Sequence, residues 1–198
     1  MNIDAMPAAR IDTAGKAKDV RGDHVARYRW AAARLAGTRG AVIDAGCNCG
    51  YGAAILADAG LTVLALDNWP AGLDFARANW DRPSISWGEA ELDRRELTLP
   101  LCDAVVAFEV LEHLATPESL LRAARAASPV LLASVPNEAV WPHRPRLAPV
   151  HKRHYRKHEF ATLLRATGWS QIDWFGQSTG YSSVEHDVDG RTLVVACR

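Results

Sequence analysis

No stretch of this 198-residue chain is apolar for long enough to span a bilayer, and residues 1–16 lack the apolar core of a secretory signal. Both absences point to a cytoplasmic protein with no membrane partner. Neither sign of charge is in excess, since 23 Lys and Arg stand against 23 Asp and Glu. That balance argues against a general nucleic-acid or membrane-surface binder, while leaving room for a local basic patch. Cysteine is scarce: Cys47, Cys49, Cys102 and Cys197 have no paired zinc spacing, so reduced thiols are expected. Repeats and low-complexity runs are missing too. What is present is a 48% apolar composition, enough for one ordinary α/β domain. We expect a flexible N-terminal tail over 1–16 and a single domain over 17–198.

Hydrophobic periodicity divides that domain. Residues 19–36 read as a helix, with Val20, His24, Ala31 and Leu35 on one face and Gly37 and Gly40 stopping it. A strand at 41–45 leads into a helix ending near Gly60, and a second strand at 61–66 is closed by Asp67. Pro70 starts a helix that runs to about Trp80, as its fixed φ allows. Further strands are expected at 84–87, 103–108, 130–135, 169–175 and 192–197, and helices at 117–127 and 157–167. Residues 136–150 carry four prolines and read as a lid or substrate loop. Alternating strands and helices predict a doubly wound, mostly parallel seven-stranded sheet. Residues 176–191 contain no evident helix, so the last strand should be an antiparallel C-terminal edge strand.

Chemistry concentrates after the first strand. In Ala41-Val42-Ile43-Asp44-Ala45-Gly46-Cys47-Asn48-Cys49-Gly50-Tyr51-Gly52, an apolar strand with an acid near its end opens into a glycine-rich loop and a helix. Glycine lets backbone approach a ligand closely, and a helix N-terminus offers N–H donors. Ligands of open sheets bind beyond the carboxyl ends of the strands. Asp67 can accept the hydroxyls of a ribose there, and Trp69 can pack on an adenine. Gly88-Glu89-Ala90 can read the adenine edge.

These segments resemble the class I S-adenosylmethionine (SAM)-dependent methyltransferases, with their Rossmann-like fold. The resemblance runs from about His24 to Cys197 and also rests on Phe108-Glu109-Val110-Leu111-Glu112-His113-Leu114, Ser134-Val135-Pro136-Asn137 and residues 151–168. It implies that Asp44 and Gly46 hold the methionine part of SAM, Asp67 the ribose, and Glu89-Ala90 the adenine. It also implies that Tyr28, in His24-Val25-Ala26-Arg27-Tyr28, closes over the cofactor carboxylate. The implied cofactor set is Tyr28, Asp44, Gly46, Cys47, Asn48, Gly50, Asp67, Asn68, Trp69, Glu89, Ala90 and Phe108. The family usually has Gly where this chain has Asn48, the residue that after Gly best tolerates positive φ.

Glu109, Glu112 and His113 share one region if their segment turns helically. With a later imidazole from His151, His154 or His158, they have the composition of a site for Mg²⁺, Mn²⁺ or Zn²⁺. The layout resembles metal-assisted O-methyltransferases, in which Glu-x-x-Glu-His and a later His hold a metal against the acceptor hydroxyls. The candidate metal ligands are thus Glu109, Glu112, His113 and His151, and the candidate catalytic residues are His113, Glu112 and His151. Two other roles stay open: Glu112 or His113 holding the loop, and His113 acting as a general base.

Lys152-Arg153-His154-Tyr155-Arg156-Lys157-His158, with His143, Arg144 and Arg146, forms either a solvated surface or a receptor for an anionic acceptor. Trp141 and Tyr155 could stack on that acceptor. Gly176-Gln177 resembles a subgroup whose members act on sugars and glycans. We therefore expect a SAM-dependent methyltransferase, monomeric or homodimeric, acting on oxygen (nitrogen second) of a small or medium-sized, glycan-like acceptor. The alternatives are a nucleic-acid or nucleotide methyltransferase and a SAM-binding protein without turnover. No Asn/Asp-Pro-Pro-Tyr/Phe run follows the strand at 103–108, against base methylation.

Overall fold

Residues 20–179 and 182–198 are described by the computed structural model; the expected tail over 1–16 lies outside them. The order is α1 (Gly22–Arg34), β1 (Ala41–Ala45), α2 (Tyr51–Asp58), β2 (Thr62–Asp67), α3 (Pro70–Trp80), β3 (Ile85–Glu89), β4 (Ala104–Phe108), α4 (Pro117–Ala127), β5 (Leu131–Pro136), α5 (Lys157–Ala166), β6 (Ile172–Gln177), β7 (Glu185–His186) and β8 (Thr192–Cys197). Successive residues of a strand point to opposite faces, and here both faces are apolar. Val42, Val63, Ala65, Val106 and Leu132 join one core; Ile43, Leu66, Val105, Ala107 and Leu131 join the other. Helices α1, α2 and α3 close the first core through residues such as Ala31, Leu56 and Leu73. Helices α4 and α5 close the second through Leu120, Leu121, Phe160 and Leu164. Trp169 is fully buried there and donates its indole N–H to the Leu121 carbonyl at 3.3 Å.

The sheet order is β3-β2-β1-β4-β5-β8-β6-β7. Strands β1 to β5 pair in parallel, and β8 runs antiparallel to both β5 and β6. The doubly wound, mostly parallel sheet is as expected, with two differences of detail. There are eight strands rather than seven, because Glu185–His186 within the 176–191 connection adds a two-residue strand to β6. Two exposed polar residues carry no periodicity to announce them. The antiparallel strand is also not at the margin. β8 is buried on nearly every residue, whereas β6 exposes Asp173, so the more apolar strand takes the inner position. β6 itself starts later than expected, since Trp169 N–H still bonds Leu164 at the end of α5. No helix of the described residues is long and apolar enough to cross a membrane.

β1 pairs with β2 on one side and β4 on the other, which makes the carboxyl ends of β1 and β4 the place where strand order reverses and a crevice opens. The loop leaving β1 enters α2 through Gly50, at φ 87°. A Cβ there would lie 2.5 Å from Ala76 Cβ and 2.6 Å from Trp87 Cη2. Gly60 is also left-handed, at φ 90°, but has nothing within 4 Å of a Cβ. The pair separates backbone strain from overpacking. Gly60→Ala should cost about 1 kcal/mol, and Gly50→Ala about 2–4 kcal/mol because it adds overpacking. Urea denaturation of the two variants checks this, and equal losses would show that the packing at Gly50 relaxes freely.

Candidate active site

The β1–α2 loop is built on three left-handed residues, Gly46 at φ 81°, Asn48 at φ 49° and Gly50. Asn48 thus occupies the conformation that glycine would otherwise supply. A Cβ on Gly46 would lie 2.4 Å from Val110 Cγ2, so the loop after β1 and the loop after β4 are in direct contact. Gly46 and Cys47 both donate N–H to the Leu66 carbonyl at 2.8 and 3.0 Å. The Asp67 carboxylate accepts from Asn48 N at 2.8 Å and from Trp69 N at 3.0 Å. One side chain at the end of β2 therefore sets the shape of the loop after β1.

Asp44 lies fully buried behind that loop. Its Oδ1 accepts the Tyr28 hydroxyl at 2.9 Å, and its Oδ2 has no hydrogen-bond partner. Burial lifts its pKa from 3.8 to about 7; the Tyr28 bond pulls the other way, and the Asp67 charge adds to the rise. Tyr28 was expected to close over the cofactor. Its hydroxyl is instead engaged by Asp44, and its ring fills the space above Gly52, where a Cβ would lie 2.1 Å from Tyr28 Cζ. Phe108 packs edge-on against it at 5.2 Å.

Glu109 ends β4 at φ 55°, a strained conformation for Glu. Ser134 holds it there: Glu109 N–H donates to the Ser134 carbonyl, and Ser134 Oγ donates to Glu109 Oε1 at 2.8 Å. Arg27 of α1, 1% exposed, lies 3.4 Å from the same oxygen. Burial works to raise the Glu109 pKa, but Arg27, His24 and Ser134 outweigh it and hold the group below its ordinary value. Glu112 has the opposite fate. It is 0% exposed with neither carboxylate oxygen hydrogen-bonded, and burial plus the Glu109 charge push its pKa well up.

One ligand atom each from Glu112, His113 and His151 lies within 4.8 Å of the others. Glu109 falls outside this trio because Ser134 and Arg27 take its carboxylate. His154 stands behind His151, bonding ring to ring at 2.8 Å, while its own Nδ1 reaches the Trp141 carbonyl at 2.7 Å. A carbonyl only accepts, so His154 Nδ1 carries a proton and its Nε2 accepts from His151 Nδ1–H. Neutral His151 is thereby left with its lone pair on Nε2, the usual outer-shell arrangement of a metal-ligating imidazole. His113 Nδ1 lies 3.2 Å from the Val150 carbonyl. Burial and the neighbouring His113 and His154 lower the His151 pKa to about 4. His158 is exposed on α5, away from the group.

Two clefts meet here. One, of about 550 Å³, is lined by Asp67, Asn68, Glu91, Leu92, Asp93 and Lys152 among others. The second, of about 350 Å³, is lined by Arg21, Arg27, Tyr28, Cys47, Phe108, Trp141, His151 and Arg191 among others. Gly46, Asn48, Glu109 and His113 line both. Trp69, Glu89 and Ala90 line neither. Trp69 packs on Gly72, and Ala90 N–H is taken by the Asp67 carbonyl, so the wall is formed one to three residues further on, at Glu91 to Asp93. Gly50 serves packing. Of the basic run, Lys152 lines the first cleft while others turn elsewhere. Arg153 caps the Leu114 and Ala115 carbonyls, Lys157 lies over Trp174, and the Tyr155 hydroxyl binds Leu111 inside the core. Gln177 is buried and ties β6 to the Asp23 carbonyl. Arg21, Arg191, Glu91, Leu92 and Asp93 were not anticipated. Arg21 stands three residues before His24, and Glu91 to Asp93 directly follow Gly88-Glu89-Ala90; Arg191 lies near no such motif.

The family model described as a methyltransferase domain matches residues 21–173. The chain belongs to that methyltransferase family. A probable SAM-dependent methyltransferase of Mycolicibacterium smegmatis is 34% identical over 171 residues, covering 83% of this chain and 64% of the relative. A ubiquinone biosynthesis O-methyltransferase of Methylocella silvestris is 36% identical over 94 residues, covering 44% of this chain and 34% of the relative. The chain thus spans less than two thirds of the length of either relative. Among solved structures, a SAM-dependent methyltransferase of Thermotoga maritima superposes with TM-score 0.69 at 12% identity, covering 89% of each chain. That likeness concerns the fold. In this methyltransferase-family chain, the clefts open at the reversal of strand order.

Asp44 makes the site pH-sensitive. Its folded pKa lies above the unfolded value, so its contribution to stability is complete below about pH 4 and is lost as pH rises through about 7. Asp44→Asn removes that dependence. Between pH 4 and 8, the urea midpoint of the variant should gain steadily on that of the parent. A constant difference would mean that Asp44 ionises as an exposed carboxylate does.

Proposed function

We propose that this chain binds SAM across the joined clefts and transfers its methyl group to an oxygen of a small or medium-sized, glycan-like acceptor. The observation that carries the reading is the junction itself, where Gly46, Asn48, Glu109 and His113 belong to both clefts. The residues fit the cofactor. Gly46 leaves no room for a side chain, and Asp44 keeps an oxygen without a partner behind it. Asp67 and Glu109 add carboxylates around a space suited to a cation. SAM supplies a methyl group already activated on a positively charged sulfur. Asp67 is placed to accept ribose hydroxyls, and Asn68 with Glu91 to line the adenine end. Asp44, oriented by Tyr28, takes the methionine end. Positioning by these groups accounts for much of the rate, since the methyl donor needs little further activation.

Glu112, His113 and His151 fit a divalent metal such as Mg²⁺, Mn²⁺ or Zn²⁺. A buried carboxylate with no partner is costly unless a cation or donor compensates it, and Glu112 is such a group. These residues would hold the metal, which would supply a lowered pKa to an acceptor hydroxyl. With its pKa near 4, His151 stays neutral at physiological pH and suits a ligand's role better than a base's. The O-methyltransferase of M. silvestris supports oxygen as the accepting atom.

Calorimetric titration tests both parts. SAM and S-adenosylhomocysteine should bind saturably, and Asp67→Ala should weaken both by roughly tenfold or more, the loss of hydrogen bonds to a charged group. Glu112→Gln should abolish saturable Mn²⁺ binding while leaving S-adenosylhomocysteine affinity intact. A folded protein that binds neither nucleoside overturns the methyltransferase reading. Unchanged Mn²⁺ binding in Glu112→Gln removes the metal from it.

A further inference from the structure

Resting on that reading of the clefts, we propose that Arg191, stacked on Trp141, receives an oxyanion (phosphate or carboxylate) carried by the methyl acceptor. The guanidinium carbon of Arg191 lies 4.1 Å from the Trp141 ring centre, and both side chains line the cleft that contains His151. Among the described residues, no carboxylate lies within ion-pair distance of Arg191. Every other arginine on that cleft is already matched: Arg21 to Asp23 at 2.7 Å, and Arg27 to Glu109. A guanidinium stacked through its face keeps its N–H donors in the plane, directed to the side, where a fork of two can meet two oxygens of one anion.

The pair is built, not incidental. Fully buried Asn137 secures both partners: its N–H donates to the Arg191 carbonyl at 2.9 Å, and its own carbonyl accepts from Trp141 N–H at 2.7 Å. Its side-chain amide donates to the Gly190 carbonyl and to Asp189 Oδ1, at 2.8 and 2.7 Å. The nearest acid in sequence, Asp189, thereby spends a carboxylate oxygen on the Asn137 amide. His154 fixes the Trp141 carbonyl from behind. The turn before β8 and the turn after β5 are thus locked together, with a cation on one and an aromatic face on the other.

Inorganic phosphate is the probe, titrated by calorimetry with and without saturating S-adenosylhomocysteine. Saturable binding to the parent protein is expected. Arg191→Gln should weaken it by roughly tenfold or more while changing S-adenosylhomocysteine affinity less than twofold. Trp141→Leu should weaken phosphate as well, since it removes the surface that holds the guanidinium. A parallel acetate titration separates the two sources: tighter phosphate assigns a phosphorylated acceptor, tighter acetate a carboxylated one. No phosphate or acetate binding by the parent overturns the proposal, as does equal affinity in Arg191→Gln. It is overturned too if S-adenosylhomocysteine weakens as much as phosphate, because Arg191 would then serve the cofactor's own carboxylate. If S-adenosylhomocysteine fails to bind while phosphate still depends on Arg191, the cofactor reading falls and the anion site stands.

Discussion

The contact between Arg27 and Glu109 is the constraint on which the clefts depend. It joins α1, which is outside the parallel strand–helix alternation, to the end of β4 at the centre of the sheet. Both charges are largely withdrawn from water, and removing one would leave the other with a weaker partner only, Arg27 with Asp23 at 3.9 Å or Glu109 with Ser134, which is destabilising. Glu109 also pays for its left-handed backbone, and the bonds to Ser134 on the neighbouring β5 are what make that conformation tolerable. The turn that follows takes its direction from there. It carries Val110 onto Gly46 and brings Glu112 and His113 up against His151. A helix, two strands and the loops after β1 and β4 are thereby coupled through one ion pair.

That pair also divides the labour between two carboxylates three residues apart. Glu109 has Arg27 and Ser134 and stays ionised; Glu112 has no donor and is driven toward the neutral form. Neighbouring acids pushed in opposite directions mark sites where ionisation is used. Asp67 and Glu109 bring carboxylates to the cleft walls, and Arg191 brings a cation to the cleft that contains His151. Charges of both signs on the walls suit a ligand that carries both.

Much of the wall around the loop after β1 was legible because a single contiguous signal encodes it. A buried strand, an acid and a glycine loop have to follow one another, and each carries a distinct pattern of period and composition. Asp44, Gly46 and Asn48 came from that signal, and Asp67 from the end of the next strand. The strands and helices up to β5 emerged nearly at their observed bounds for the same reason. What was not legible depends on partners distant in sequence. Tyr28 lines the second cleft, but its bond to the Asp44 oxygen across the core could not be read from its helix. Glu89 and Ala90 were offset because the Asp67 carbonyl claims the Ala90 N–H. The basic run looked like a patch, yet Arg153 caps carbonyls and Lys157 covers a tryptophan.

The proposed anion site follows a different logic. Arg191 and Trp141 are fifty residues apart, on turns with no periodic pattern, and only Asn137 relates them. Asn137 came into view as part of Ser134-Val135-Pro136-Asn137, without any hint of what its amide binds. Its position at the exit of β5 is fixed by the sheet; the residues that it places are not. The side chain at 191 projects from a turn held through backbone atoms, so replacing it leaves the anchoring bonds intact. The loops after β1 and β4, by contrast, are bound to one another through Gly46, Val110 and the Arg27–Glu109 pair. On the proposed reading, the chain can therefore vary which acceptor it takes by exchanging side chains on two anchored turns, while the loops after β1 and β4 remain unchanged.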